Sequence, residues 1–194
     1  MLQLDITGTL AKTITPSLGI PEQEFSSMRN TLKHHMEDFL RERAQGMHAW
    51  AQAPYDREVP RLTDELKERL RRERFETILW IGIGGSSLGP RVIKEVFERV
   101  ETPELVVLDT IDPAILIEEL KMVDFERTLL VIASKSGGTL EPMSLFFLLL
   151  DHLKSVLQEK ASSHVVVITD PASGLLHEIA EREGYATLPI HPAI

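Results

Sequence analysis

Two glycine- and serine-rich stretches hold the residues of this chain that could do chemistry. The first, LWIGIGGSSLGP, covers residues 79–90, and the second, LLVIASKSGGTLEP, covers residues 129–142. In each, an apolar run typical of a strand leads into a short loop and then into a helical pattern. Glycine lets a loop backbone come close to a ligand, and the start of a helix offers unpaired N–H groups and a partial positive charge. Both stretches therefore predict places that hold an anion.

The second loop carries three hydroxyl groups around one helix start, at Ser134, Ser136 and Thr139. A phosphate monoester has three oxygens and a double charge, and hydroxyls together with backbone N–H groups can satisfy both. Each charge-assisted hydrogen bond contributes about 1.5 to 3 kcal/mol, so a large basic patch is not required. We interpret the loop as a phosphate site, and an ordinary capped loop is the alternative.

A dinucleotide site is a rival interpretation of the first loop. Gly82 and Gly84 match two of the three glycines of the Gly-x-Gly-x-x-Gly fingerprint, and Asp109 ends the next apolar run, near the position of a ribose-binding carboxylate. However, Ser87 stands at the third glycine position, and a dinucleotide gives the second loop no role. We interpret Asp109, together with Asp112 and Asp170, as turn or cap residues.

Five short apolar runs predict the strands that position these loops. They lie at about residues 78–83, 105–109, 129–133, 164–168 and 186–190, and helical patterns separate them. Continuous apolar strands are typical of strands buried on both faces. The alternation predicts an α/β fold, a three-layer α/β/α domain with a five-stranded parallel doubly wound sheet of the flavodoxin-like kind. In such a sheet ligands bind beyond the carboxyl ends of the strands, where both loops fall.

The part of the chain before the sheet has a different pattern. We predict an extended arm over residues 1–20 and an amphipathic helix of about six or seven turns from Pro21 to Gly46, because apolar residues recur at steps of three and four. Pro60 opens a second, charged helix. We therefore expect residues 1–75 to form an N-terminal arm with helices and residues 76–194 to form the sheet domain.

Composition narrows the class of protein. The 194 residues include 30 acidic and 21 basic ones, and the net charge of −9 argues against a nucleic-acid partner and against binding to an anionic membrane. The longest apolar run, Leu145–Leu150, is too short to span a bilayer. The chain has no cysteine and no histidine spacing typical of a metal site, so we expect no metal and a cytoplasmic location.

The motifs IGIGGSSLGP at residues 81–90 and VIASKSGGTLEP at residues 131–142 resemble those of the glucose-6-phosphate isomerase family. The resemblance extends from about Gly46 to the end of the sequence. It implies an aldose-ketose isomerase that interconverts glucose 6-phosphate and fructose 6-phosphate in glycolysis and gluconeogenesis, without a cofactor. It also implies that this region is the first of two sugar-isomerase (SIS) domains.

The resemblance implies roles for individual residues. Gly85 and Ser86 would lie against the substrate, and Glu141 would match an acidic position that supports a catalytic histidine. The phosphate loop would consist of Ser134, Lys135, Ser136 and Thr139. The chain departs from the family at Ser87, where many members have aspartate, and at Gly137-Gly138, which replace bulkier residues.

The family's main catalytic groups have no counterpart in this sequence. Members carry a Gly-Gly-Arg motif just past a segment like Pro189–Ile194, followed by a base glutamate, a ring-opening histidine and a late lysine. We therefore expect the natural chain to continue, with the C-terminal half as a partner of this one. The resemblance implies a homodimer at full length and an isolated domain that is inactive or nearly so. The alternative is a free-standing module that binds a sugar phosphate without catalysis.

Overall fold

The computed structural model describes residues 5–71, 73–97 and 103–190. The first four residues of the predicted arm and the segment after residue 190 lie outside the described residues. The chain divides into two compact units, the first ending at Ala53 and the second beginning at Pro54. The domain boundary between residues 75 and 76 stays a prediction.

The first unit contains two helices, α1 at Glu22–Ser27 and α2 at Arg29–Ala44. The helix predicted from Pro21 to Gly46 is confirmed over most of its range but is divided into two at Met28, whose φ of −72° and ψ of −13° still lie in the right-handed helical region. Before α1 the chain forms a short 3-10 turn at Thr7–Thr9 and a bridge between Leu10 and Ile20. Residues 5–20 are therefore turned rather than extended.

The second unit is built on five strands that all run parallel. They are β1 (Thr77–Ile81), β2 (Glu104–Leu108), β3 (Thr128–Ser134), β4 (Val165–Thr169) and β5 (Ala186–Pro189). Their order in the sheet is β2-β1-β3-β4-β5, which is the flavodoxin-like order. The predicted parallel, doubly wound sheet is confirmed, and each strand lies within two residues of its predicted bounds.

Helices cover both faces of this sheet. On one face lie α5 (Pro113–Leu120), α6 (Leu140–Leu157) and α7 (Leu175–Glu183), whose fully buried Phe146 and Leu176 belong to the main core. On the other face α3 (Glu58–Leu70) packs through Leu66 and Leu70. The three-layer architecture is therefore confirmed.

The helix α4 (Gly85–Phe97) begins on the same face as α3, because Trp80 Nε1 donates a hydrogen bond to the Ser86 carbonyl oxygen at 2.8 Å. Its one buried residue is Ser87. Five apolar residues of this helix are between 55% and 65% exposed: Leu88, Val92, Ile93, Val96 and Phe97. We call these five residues the α4 apolar stripe. These exposed fractions leave the stripe largely open to solvent within the described residues.

The central strand β3 sets the position of the loop that follows it. All seven of its residues are buried, and it pairs with β1 on one side and with β4 on the other. Ser134 at its carboxyl end lies beside Thr169, the last residue of β4. Because the three strands are parallel, the loops after β1, β3 and β4 meet at one edge of the sheet.

Candidate functional site

A depression of about 390 Å³ opens at this edge of the sheet. Five of the six predicted binding residues line it, namely Ser86, Ser134, Lys135, Ser136 and Thr139. Gly85, the sixth, and Glu141 are not among the residues that line it. Ligand sites of small molecules commonly have volumes of this size.

Ser134 presents a buried polar group at the inner end of the depression. The residue is only 4% exposed, and its Oγ has no hydrogen-bond partner among the described residues. The Ser134 carbonyl oxygen, in contrast, accepts a hydrogen bond from Thr169 Oγ1 at 2.7 Å. A buried hydroxyl without a partner costs free energy, and a ligand oxygen in the depression would remove that cost.

The other two hydroxyls of the loop lie next to each other. Ser136 Oγ and Thr139 Oγ1 form a hydrogen bond of 3.2 Å, and the Gly138 N–H donates to Ser136 Oγ at 3.4 Å. Both side chains are exposed. The loop therefore brings two adjacent hydroxyls to the opening, where they can donate to one acceptor group.

The start of α6 adds backbone donors to these hydroxyls. Thr139 precedes the first helical residue, and its side chain makes no capping hydrogen bond. The first helical bond shown at this end runs from the Met143 N–H to the Thr139 carbonyl oxygen at 3.2 Å. The N–H groups of Leu140 and Glu141 precede that bond and have no partner inside the helix, and Pro142 has no N–H at all. The uncapped helix end therefore offers two N–H groups and its positive dipole end.

The loop after β1 forms several hydrogen bonds within itself. The N–H groups of Ser86, Ser87 and Leu88 donate to the carbonyl oxygens of Ile83 and Gly84 at 3.0 to 3.1 Å. The buried Ser87 hydroxyl also donates to the Gly84 carbonyl oxygen, at 3.1 Å. The loop after β1 therefore uses much of its polar capacity internally. In the loop after β3, the Ser134 hydroxyl has no partner within the described residues and the start of α6 has no side-chain cap.

The loop after β4 also belongs to the site, although the sequence analysis does not predict it. Asp170 and Ser173 both line the depression. Asp170 Oδ1 accepts hydrogen bonds from the N–H groups of Ala172 at 2.8 Å and Ser173 at 3.1 Å, which confirms its prediction as a turn residue. The position of Asp170, directly after a strand that ends at the ligand edge, is the sequence feature that could have identified it.

The other two predicted cap residues have different outcomes. Asp112 caps α5 by accepting from the N–H groups of Ala114 and Ile115, as predicted. The prediction for Asp109 is wrong, because its carboxylate receives two hydrogen bonds from Arg91, at 2.8 and 2.6 Å. These bonds to the guanidinium hold the pKa of the Asp109 carboxyl below its ordinary value. The engaged carboxylate gives no support to the dinucleotide interpretation.

The described residues offer neither a metal centre nor a membrane span. Among the described ranges, no three His, Asp or Glu side chains lie together in a way that could hold a metal ion. No helix in the part of the chain that the structure describes is long and apolar enough to cross a membrane.

The fold and the depression define a doubly wound α/β domain with a candidate ligand site beyond the carboxyl ends of its strands. Comparison with known proteins gives the particular family. Residues 69–175, more than half of the chain, match the family model described as phosphoglucose isomerase. The chain belongs to the phosphoglucose isomerase family, which confirms the resemblance carried by the two motifs.

Individual relatives agree with this family. The glucose-6-phosphate isomerase of Thermus thermophilus is 36% identical over 138 residues, which are 69% of this chain and 33% of the relative. Among solved structures, a hypothetical protein from Thermus thermophilus matches with a TM-score of 0.78 at 31% identity, over 89% of this chain and 41% of that one. A glucose-6-phosphate isomerase from Chlamydia trachomatis matches with a TM-score of 0.61 at 29% identity, over 76% of this chain and 28% of that one. The chain thus spans less than half of the length of these relatives.

Gly174 is the residue that we expect to control the shape of the β3–α6 loop. It has a φ of +100°, and a Cβ added to it would lie 2.6 Å from the Ser136 carbonyl oxygen. Gly174→Ala should therefore strain the backbone and displace Ser136. We expect urea denaturation to show a loss of about 1 to 3 kcal/mol in the free energy of unfolding.

Gly138 provides a matched control for this prediction. A Cβ added there meets only the Ser136 carbonyl oxygen, at 4.0 Å. Gly138→Ala should change the free energy of unfolding by less than about 1 kcal/mol. Equal effects of the two substitutions would show that the close approach of Gly174 to Ser136 does not constrain the loop.

Proposed function

We propose that this chain binds the phosphate group of a hexose 6-phosphate in the β3–α6 loop, as the sugar-phosphate-binding part of a glucose-6-phosphate isomerase. The observation that carries the proposal is the group of hydrogen-bond donors that the β3–α6 loop brings to the depression, of which the Ser134 hydroxyl has no partner within the described residues. It consists of the buried Ser134 hydroxyl, the adjacent Ser136 and Thr139 hydroxyls, and the uncapped start of α6. Family membership supports the same assignment.

Charge supports a phosphate rather than a neutral ligand. Lys135 lines the depression, is exposed and forms no ion pair with any of the described residues. A phosphate would receive this charge, the helix dipole and up to three hydroxyl hydrogen bonds. Since each charge-assisted bond contributes about 1.5 to 3 kcal/mol, a few local donors suffice in a protein whose net charge is −9.

The depression lacks the pair of groups that the isomerisation requires. Opening the sugar ring and moving a proton between C1 and C2 each need a positioned acid or base. Glu141 is exposed and does not line the depression. Asp170 is the one carboxylate in the described lining, and one of its oxygens holds a turn. We therefore propose that the catalytic groups come from parts of a full-length family member that are absent here.

The exposed α4 apolar stripe supports the proposal that another part of a full-length relative packs against this domain. Five large apolar side chains at 55% to 65% exposure are costly to leave in water, and extended apolar patches mark interaction surfaces. We propose that another part of a full-length relative, such as a second SIS domain, covers this stripe, and that the full-length protein is a cytoplasmic homodimer. The relatives are long enough to supply that part, since the chain spans 33% of one of them.

A free-standing sugar-phosphate-binding module is the second candidate function. It is favoured by the same observation that limits catalysis, because the depression holds binding groups without an acid-base pair. The exposed α4 stripe argues against it, since a self-contained module would cover such a surface. Both candidate functions share the phosphate site. They differ in whether the chain needs the remaining part of a full-length family member to function.

Thr139→Ala should weaken the binding of 6-phosphogluconate by about tenfold or more, because one hydrogen bond to a charged group is lost. Stability should change little, since the Thr139 side chain does not cap α6. Isothermal titration calorimetry and thermal unfolding measure the two effects. Ser144→Ala is the control, because Ser144 is exposed on α6 outside the depression and its loss should leave the affinity unchanged. If folded Thr139→Ala binds 6-phosphogluconate as tightly as the wild-type chain does, the assignment of the β3–α6 loop as the phosphate site is wrong.

The chain by itself should not interconvert fructose 6-phosphate and glucose 6-phosphate. A coupled assay for glucose 6-phosphate should show no turnover above the uncatalysed rate, because the depression offers no acid-base pair. The Thermus thermophilus glucose-6-phosphate isomerase serves as the positive control under the same conditions. Turnover that rises in proportion to the concentration of this chain would contradict the proposed division of binding and catalysis.

A further inference from the structure

Asp170 is a carboxylate in a depression whose other polar groups suit an anion. It is half-buried and lines the depression together with Lys135, Ser136 and Thr139. No ion pair joins the Lys135 ammonium to the Asp170 carboxylate within the described residues. Both charged groups are therefore available to different parts of one bound ligand.

The Asp170 carboxylate is held in a fixed position. Its Oδ1 accepts from the N–H groups of Ala172 and Ser173, at 2.8 and 3.1 Å. Its own N–H donates to the Lys135 carbonyl oxygen at 3.4 Å, which ties the β4–α7 loop to the β3–α6 loop. The second oxygen, Oδ2, makes no hydrogen bond within the described residues. The side chain therefore has one oxygen committed to the fold and one oxygen available to a ligand.

Electrostatics decides which part of a ligand can lie against this oxygen. A carboxylate and a phosphate repel each other, and the repulsion is stronger in a partly enclosed site than in bulk water. The phosphate therefore belongs at the α6 end, with its donors, and the uncharged part of the ligand belongs beside Asp170. Hydroxyl groups are the uncharged groups that donate to a carboxylate, and such charge-assisted bonds are about twice as strong as neutral ones.

We propose that Asp170 is a specificity-determining residue that accepts hydrogen bonds from the hydroxyl-bearing carbon chain of a phosphomonoester. The inference rests on the proposed phosphate site and extends it, because it assigns a role to the part of the depression that Asp170 lines. Asp170 then selects sugar and sugar-alcohol phosphates over inorganic phosphate and over phosphomonoesters without hydroxyl groups. It orients the ligand by attracting one end and repelling the other.

The test compares two ligands on Asp170→Asn by calorimetry. Asparagine keeps an oxygen that can accept from Ala172 and Ser173, so the turn is retained while the charge is removed. Inorganic phosphate should bind about threefold more tightly to the variant, because a repulsive charge is gone. Glucitol 6-phosphate should bind less tightly, because a charge-assisted acceptor is gone. The ratio of glucitol 6-phosphate affinity to phosphate affinity should fall by about fivefold or more.

Asp124→Asn is the matched control for this experiment. Asp124 holds a similar turn, with its Oδ1 accepting from the Glu126 N–H at 3.0 Å, but it lies before β3, at the opposite edge of the sheet. The substitution changes the net charge equally and should leave both affinities unchanged.

The outcomes separate the two proposals. An affinity ratio that stays the same in Asp170→Asn, with both ligands bound by the wild-type chain, overturns the role of Asp170 and leaves the phosphate site standing. A folded wild-type chain that binds neither ligand overturns the phosphate site and the role of Asp170 with it. A ratio that falls equally in Asp124→Asn would assign the effect to net charge and would also overturn the proposal.

Discussion

The complete burial of β3 is the constraint on which the rest of the structure depends. All seven residues of this strand are buried, and β1 and β4 pair with it on its two sides. A strand held in this way cannot shift its register without moving apolar side chains out of the core. The loop after it is fixed further by the bond from Thr169 Oγ1 to the Ser134 carbonyl oxygen. Packing of the sheet therefore sets where the hydroxyls of the site lie.

The site combines this rigid support with incomplete hydrogen bonding. Protein cores usually satisfy their polar groups, yet Ser134 Oγ is buried without a partner in the described part of the chain, and α6 starts without a side-chain cap. The loop after β1 shows the contrast, because its N–H groups and the Ser87 hydroxyl bond within the loop. Unsatisfied donors at one point can bind an anion in a protein of net charge −9 without any basic surface.

The sequence predicts the sheet well because short, continuous apolar runs indicate burial on both faces, which is typical of strands in parallel sheets. The sequence also predicts that Ser86 and the β3–α6 loop lie together, because both follow strands that end at the same edge of the sheet.

The sequence does not predict the role of a residue whose partner is distant in the chain. Asp109 looks like a turn residue until Arg91, 18 positions earlier, is seen to bind it. Asp170 looks like a turn residue and is one, but only the fold shows that the turn lines the depression. The helical periodicity of residues 21–46 predicts helix but not the division at Met28, because the apolar spacing continues across that residue and its backbone angles stay in the helical region.

An amide NMR titration of the 194-residue chain with 6-phosphogluconate tests the central claim most directly. If the β3–α6 loop binds the phosphate, saturable shifts should centre on residues 134–141, with the free N–H groups of Leu140 and Glu141 among the largest. Inorganic phosphate should move the same N–H groups. Shifts confined to the loop after β1, or a well-folded chain with no saturable shifts at all, would contradict the account.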